Sequence, residues 1–443
     1  MIFVLNLVGL IIGNGTELGI WIIQLIFLIL SAALCFGLLF ISLGGFSASF
    51  GSIIWLTTLI IIWEGNNFTE QYSMLFQFMA LFLFFLYHNQ SQSRLYLFLI
   101  GLIASLSFLL KQTLVGIWIA IIIFLVIDRT RDRELKKLLF EILYMLFGSI
   151  IILIIFGSYF IFNNSFEEMI SAIFEYNFVY TLMYPSSRIH SLLFGILMTS
   201  ISGGMLISFF SWFYFIYHLI YSQQIFQSIQ NSSKSLLILL LIAFPIELVF
   251  ACLSGNNYLH YYIAWTPIIA ILSGYFAFIF YKPLERYRFK FRTYILYVLI
   301  LLFCVFSFNV QFSRIQNSLS SSNKDEPIIK FINEHSNDDD YVLMWGAETS
   351  YNFKSGRQSP SRFVYQYPIF IEGYKNNTYR QDFLLDLGKN KPKIIIDTSF
   401  SNPKVPPIIS DGWTTKLSEF VKNNYFVQDE FNENSWIAYL IKE

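Results

Sequence analysis

Residues 17–43 read ELGIWIIQLIFLILSAALCFGLLFISL, and this run decides the class of the fold. After Glu17 no charged side chain interrupts it. A helix rises about 1.5 Å per residue, so such a run is long enough to cross a hydrocarbon layer of about 30 Å. The same signature returns along the chain. Ten stretches predict spanning helices: 17–43, 46–63, 69–87, 94–110, 112–127, 138–162, 190–220, 235–254, 258–281 and 292–310. The pair 94–110 and 112–127 is short and broken at Lys111-Gln112, which suggests one irregular hairpin. Residues 1–12 are apolar, but as a helix they rise only about 18 Å, too little to cross. They are placed at an interface or read as the remnant of a longer segment.

Composition agrees. Hydrophobic residues make up 56% of the 443, charged residues 13%, and Phe alone occurs 49 times. Mean hydropathy is +0.57. Soluble domains average about 25% charged residues. A chain this apolar needs lipid as solvent for most of its length. Net charge is zero, so nothing argues for nucleic acid as a partner. Cys35, Cys252 and Cys304 sit inside apolar runs, without disulfide or metal spacing.

The charges are unevenly spread. No Lys or Arg precedes Arg94, and no secretory signal is visible. Two connecting loops are strongly basic: Arg129, Arg131, Arg133, Lys136 and Lys137, then Lys282, Arg286, Arg288, Lys290 and Arg292. With ten spans both fall on one side, together with Arg94 and Lys234, while the short loops opposite hold only Lys111 and Arg188. Basic loops stay in the cytoplasm. The polar residues after Phe312 are then extracytoplasmic, and the chain divides into a transmembrane domain, 1–312, and a soluble domain, 313–443.

The second domain reads as small α/β. Pro327 to Ile332 opens a helix, with Pro in its first turn. Tyr341–Gly346 and Lys393–Asp397 read as buried strands. Tyr379–Leu387 reads as a helix closed by Gly388, and 414–423 as another. Residues 425–430 and 436–441 suggest a hairpin. Strands alternating with helices predict a partly parallel sheet.

Ionisable residues near membrane depth are costly and often functional, and the proposed topology collects such a set towards the outer face. Glu64 and Glu70 flank the loop 65–69, Lys111 tips the hairpin, Glu167, Glu168, Glu175 and Arg188 lie in 163–189, and His260 opens the span 258–281 beside Tyr261 and Tyr262. Such a set suits group transfer from a lipid phosphate. Lys111 or Arg188 could hold the phosphate, a carboxylate (Glu70, at a helix start, before Glu64) could activate an acceptor hydroxyl, and His260 could donate or accept hydrogen bonds. The aromatic side chains next to His260 could stack on a sugar. Each residue also has a plainer role: solvated charge or helix-dipole partner for the glutamates, snorkelling for Lys111, headgroup contact for Arg188, and interfacial packing for His260. Asp338 to Asp340 form a turn. The Asn-x-Ser/Thr matches at Asn67 and Asn376 are short enough to arise by chance. Gly203-Gly204 reads as helix packing. No nucleotide loop, zinc spacing or Ser/His/Asp motif occurs.

The order of these pieces resembles the C-type (GT-C) glycosyltransferases of bacterial inner membranes, in the branch related to protein O-mannosyltransferases and to aminoarabinose transferases of lipid A. Five stretches carry the resemblance: Ile2–Leu10, similar to the family's stretch just after a Lys-Pro-Pro-Leu-like sequence; Asn67-Phe68-Thr69-Glu70; Phe108–Thr113 around Lys111; His260-Tyr261-Tyr262 with Trp265 and Pro267; and Tyr341–Phe370. The resemblance implies a polyprenyl-phosphate-linked sugar donor, transfer with inversion on the outer side, and a glycan, lipid or protein acceptor. It implies that Lys111 contacts the donor phosphate and that Glu70 and His260 line the cavity, with Glu64, Tyr261 and Tyr262 around them. Family members begin with a further span and a first outer loop that carries a leading Asp or Asp-Glu base. The chain is expected to start beyond that loop, which leaves Glu70 as the candidate catalytic residue. No cofactor is assigned, and a divalent metal stays an open alternative.

Two other classes are weighed beside an enzyme: a transporter or flippase of lipid-linked sugars, and a non-catalytic assembly subunit. A transporter predicts inverted repeats and midplane charges. Neither is visible in the sequence.

Overall fold

The computed structural model describes residues 1–65, 67–89, 93–183, 185–221, 229–286, 327–346, 348–401, 405–410, 414–428 and 435–442, with the single positions 298, 305, 309, 312, 313 and 316. Apart from positions 298, 305 and 309, the expected span 292–310 lies outside the described residues, as do the second basic loop beyond Arg286 and Cys304. Cys35 and Cys252 are buried free thiols.

The chain divides into two units, Met1–Ile170 with Thr181–Gln311, and Ser171–Tyr180 with Phe312–Glu443. The segment Ser171–Tyr180, expected as an outer loop of the helical part, folds with the second unit.

The first unit is helical: α1 (Ile2–Ile12), α2 (Glu17–Leu43), α3 (Gly45–Ile62), α4 (Thr69–Asn89), α5 (Arg94–Leu110), α6 (Gly116–Arg131), α7 (Leu135–Phe162), α8 (Arg188–Ser200), α9 (Gly204–Tyr221), α10 (Asn231–Ala251) and α11 (Thr266–Arg286). Among the described residues six helical stretches are long and apolar enough to cross a membrane: Glu17–Leu43, Gly45–Ile62, Leu135–Phe162, Gly204–Tyr221, Asn231–Ala251 and Leu259–Phe280. On α7 the exposed side chains Leu139, Leu143, Leu146, Ile150, Leu153 and Ile154 recur at helical spacing. A helix that turns a continuous apolar face outward has lipid as its solvent. Helix α4 does the opposite: it buries Glu70, Gln71, Ser73 and Gln77 among aromatic side chains, so it reads as less apolar because its surroundings are protein. The protein is a polytopic helical membrane protein.

Close helix packing runs through glycines, as is usual in membranes. A Cβ at Gly101 of α5 would lie 1.9 Å from the Met145 carbonyl oxygen of α7, and one at Gly148 would lie 2.1 Å from that of Phe98. Helices α3 and α11 meet the same way, where a Cβ at Gly51 would lie 2.6 Å from the Ala270 oxygen.

In the helical unit two expectations change. The stretch 190–220 is two helices, broken at Gly203, whose φ of +75° is costly for any side chain. Ser202 there hydrogen-bonds Thr58 of α3 at 2.7 Å. The hairpin around Lys111 is a turn whose two helices part: the glycines hold α5 on α7, while α6 packs on α10. Residues 1–12 form α1, folded back on α2, and Asn6 Oδ1 accepts a hydrogen bond from Asn67 Nδ2 at 2.7 Å.

The second unit holds a four-stranded sheet ordered β1 (Val342–Trp345), β2 (Ile394–Asp397), β4 (Ile437–Ile441), β3 (Tyr425–Val427). Strands β1 and β2 are parallel, and the other pairs are antiparallel. Leu343, Trp345 and Ile395 face a core with Phe383, Leu387 and Leu417. Val342, Met344, Ile394 and Ile396 face another with Ile328 and Ile332. Burial on both faces explains why β1 and β2 read as unbroken apolar runs. The helix expected to close at Gly388 runs on, Asn376–Asn390, and ends at Lys391 with φ +38°. Pro392 follows and stops it by disfavouring helical backbone at the residue before.

Candidate active site

Three chain segments bring the site together. The first leaves α3 at Trp63, turns at Gly65 (φ +78°) and enters α4 at Thr69, which sets Glu70 in the first turn of that helix. Asn67 pins this loop. Its side-chain oxygen accepts from Gln24 Nε2 (2.9 Å) and the Tyr72 hydroxyl (2.8 Å), while its amide donates to Asn6. The second segment is the turn after α5. Lys111 caps that helix with extended backbone, and the Ser107 hydroxyl holds the turn by donating to the Leu114 carbonyl at 2.8 Å. The third is a 3₁₀ segment, Leu259–Trp265, entered through Gly255 (φ +71°).

Lys111 Nζ donates to Glu70 Oε1 at 2.7 Å and stands 3.4 Å above the centre of the Tyr261 ring. Glu70 also accepts from the Thr69 hydroxyl at 2.9 Å. Glu64 Oε2 takes both the backbone N–H of His260 (3.2 Å) and its ring Nδ1 (2.5 Å). The Phe68 ring lies flat on His260, 3.7 Å away with a 6° tilt, and Tyr261 meets the imidazole edge-on at 4.8 Å. Both Lys111 and His260 therefore touch Tyr261. Burial pushes the Glu64 carboxyl up, but the hydrogen bond, charge and backbone N–H of His260, with the N–H of Leu259, outweigh it and hold the group below its ordinary value.

The sequence-derived residues Glu64, Glu70, Lys111, His260 and Tyr261 thus form one cluster. Tyr262 and Arg188 stand apart from it. About three residues complete a 3₁₀ turn, so neighbouring side chains diverge. Tyr261 faces Lys111, while Tyr262 is buried and donates to the Ser191 carbonyl of α8 at 2.8 Å. Arg188 spends its fork on main-chain carbonyls, Nε on Leu253 (2.9 Å) and a terminal nitrogen on Thr181 (2.7 Å). Among the described residues it makes no contact with Lys111. Glu167 and Glu168 are exposed, and Glu175 pairs with Lys375 at 3.8 Å in the second unit. No group of three or more His, Cys, Asp or Glu is placed to hold a metal among the described residues.

The sequence reading missed other groups. Glu247 of α10 is 1% exposed, and its Oε1 accepts the Ile117 N–H of α6 at 2.8 Å, capping the helix that follows the Lys111 turn. Arg129 and Glu141, singled out only as a loop cation and not at all, form a buried pair at 2.9 Å, and Tyr87 donates to the same carboxylate. An acidic residue inside an apolar run was the available signal for both glutamates.

Residues 1–162 match the model of the family described as dolichyl-phosphate-mannose-protein mannosyltransferase. Over that stretch the chain is similar to membrane glycosyltransferases of the GT-C type. No curated protein and no solved structure matches the chain. The glycosyltransferase-like stretch contributes Glu64, Phe68, Glu70 and Lys111 to the cluster, and His260 and Tyr261 arrive from beyond it.

Proposed function

We propose that the chain moves a sugar from a polyprenyl-phosphate donor to a hydroxyl of an envelope glycan, lipid or protein, at the extracytoplasmic side of a bacterial inner (plasma) membrane. The second unit lies on that same side. The observation that supports this most is Lys111: an ammonium 26% exposed, held by buried Glu70 and resting on an aromatic face. One carboxylate leaves ammonium donors over for a phosphate.

In this reading the acceptor oxygen attacks C1 of the sugar from the side opposite the phosphate. The C1–O bond to phosphate breaks with inversion, and charge grows on the departing polyprenyl phosphate. Lys111 neutralises that charge, and Glu70 aims the ammonium. Tyr261 backs the ammonium with its aromatic face.

The test uses the purified protein in lipid vesicles with polyprenyl-phosphate sugars and candidate acceptors. Lys111→Met should lower donor consumption about 10²–10³-fold, the cost of removing one group that stabilises developing charge, and Lys111→Arg should retain part of it. Equal turnover in Lys111→Met and the wild type would remove the phosphate role.

A further inference from the structure

The Glu64–His260 pair has the geometry of a proton-accepting dyad. Glu64 Oε2 holds Nδ1 at 2.5 Å and the His260 backbone N–H at 3.2 Å. The stacked Phe68 ring fixes the imidazole plane at 3.7 Å. The ring is thereby fixed in orientation at one nitrogen and one face. The tautomer that donates from Nδ1 to a carboxylate carries its lone pair on Nε2. Among the described residues Nε2 makes no hydrogen bond, and the side chain is 13% exposed. Glu70, the sequence-derived candidate, has both oxygens engaged, Oε1 by Lys111 and Oε2 by the Thr69 hydroxyl, and it is only 2% exposed.

We infer that His260 Nε2 is the general base that takes the proton from the acceptor hydroxyl, with Glu64 as its positioning residue. The inference rests on the transferase reading above. As the acceptor O–H bond breaks, its proton passes to Nε2. The acceptor oxygen forms the new bond to sugar C1, and the electron pair of the old C1–O bond leaves on polyprenyl phosphate beside Lys111. The imidazolium then faces Glu64, which stabilises it, and returns its proton to water. Tyr261 touches both Lys111 and His260, so the base and the leaving-group cation lie at one aromatic ring, close enough to serve a single sugar. Among the described residues the charged or titratable groups that face His260 are Glu64, Glu70, Tyr258 and Tyr261, and Lys111 lies against Glu70 and Tyr261.

The experiment measures sugar transfer against pH and, separately, binding of polyprenyl phosphate alone, on the whole protein in vesicles. His260→Gln should cut kcat about 10²–10⁴-fold, the usual worth of a positioned acid or base, while lipid-phosphate binding stays within twofold and the acidic limb of the pH profile disappears. Glu64→Gln should cost less and displace that limb. Nitrogen-15 spectra of the histidines, with His260→Gln for assignment, should show the Nδ1–H form in the wild type and its loss in Glu64→Gln. Wild-type kcat in His260→Gln, or loss of lipid-phosphate binding in step with kcat, would overturn the base role. If the wild type neither binds polyprenyl phosphate nor consumes its sugars, the transferase reading itself fails, and the base role falls with it whatever the tautomer.

Discussion

Lys111 Nζ lies 2.7 Å from Glu70 Oε1, and the two ends of this bond live in different surroundings: the carboxylate is 2% exposed and the ammonium 26%. The pair joins the start of α4 to the turn after α5. Removing the lysine strands a buried anion, whereas removing the glutamate leaves a cation that can still reach water.

The asymmetry predicts unequal costs. Lys111→Met should destabilise the protein more than Glu70→Gln. A double-mutant cycle should return a coupling of about 1–3 kcal/mol, above exposed pairs and below fully buried ones. Thermal unfolding of the detergent-solubilised variants measures it. A coupling near zero would mean that the pair is not formed in the folded protein.

Helix α5 should reject bulk where it crosses α7. A methyl at Gly101 or Gly148 meets a main-chain oxygen 1.9 or 2.1 Å away, and neither oxygen can move without its helix. Gly101→Ala and Gly148→Ala should each cost about 1–3 kcal/mol. Gly37→Ala, where a Cβ meets nothing within 4 Å, should be tolerated. Side-by-side melting curves settle the comparison.

Arg129 and Glu141 are each 3% exposed, and Arg129 also donates to Asp128 at 3.0 Å. Arg129→Ala should cost about 3–5 kcal/mol by leaving Glu141 buried and unpaired. Replacing both with apolar residues of similar volume should recover much of that loss. The expected order of melting temperatures is wild type, double variant, single variant; a double variant no better than the single one would refute it.

Glu247→Leu should loosen the first turn of α6. The carboxylate supplies the acceptor for the Ile117 N–H, and losing it leaves a buried donor unsatisfied, at about 1–3 kcal/mol. Glu247→Gln keeps an acceptor oxygen and should be milder. Hydrogen exchange of the amides at 114–119 reports the difference directly.

Acid should weaken the Glu64–His260 link. The folded carboxyl titrates below its ordinary value of 4.5. The stability it contributes is therefore complete above that value and is lost as pH falls through the lower, folded one. Glu64→Gln lacks this dependence, so wild-type and variant melting temperatures should converge on acidification. Parallel curves across that range would contradict the assignment.

Much of the helical unit could be read in advance because lipid imposes a length and a polarity on each span. The runs at 17–43, 138–162 and 235–254 announce themselves by composition, and helices cover most of each. Breaks were harder. At Gly203 the sequence offered a Gly-Gly pair that serves equally as a packing surface, and only the Thr58–Ser202 bond shows where the helix stops. Glu64, Glu70, Lys111 and His260 were found as ionisable residues predicted to share one face. Tyr262 lies apart from Tyr261 because adjacent side chains on a helical turn point in different directions, and it turns to the Ser191 carbonyl instead.

By itself, the sequence determined that this chain lives in a bilayer, that an α/β unit comes after the helices, and that certain charged residues are available to a common face. Those properties depend on local polarity and on periodicity, which each stretch carries alone. The tertiary structure decided which charges meet. Glu70 takes Lys111, Glu64 takes His260, and Arg188 turns to main-chain carbonyls. Pairing across tens to hundreds of residues depends on helix crossings fixed by glycine contacts and buried caps such as Glu247. Those are long-range steric and electrostatic constraints that no single segment encodes.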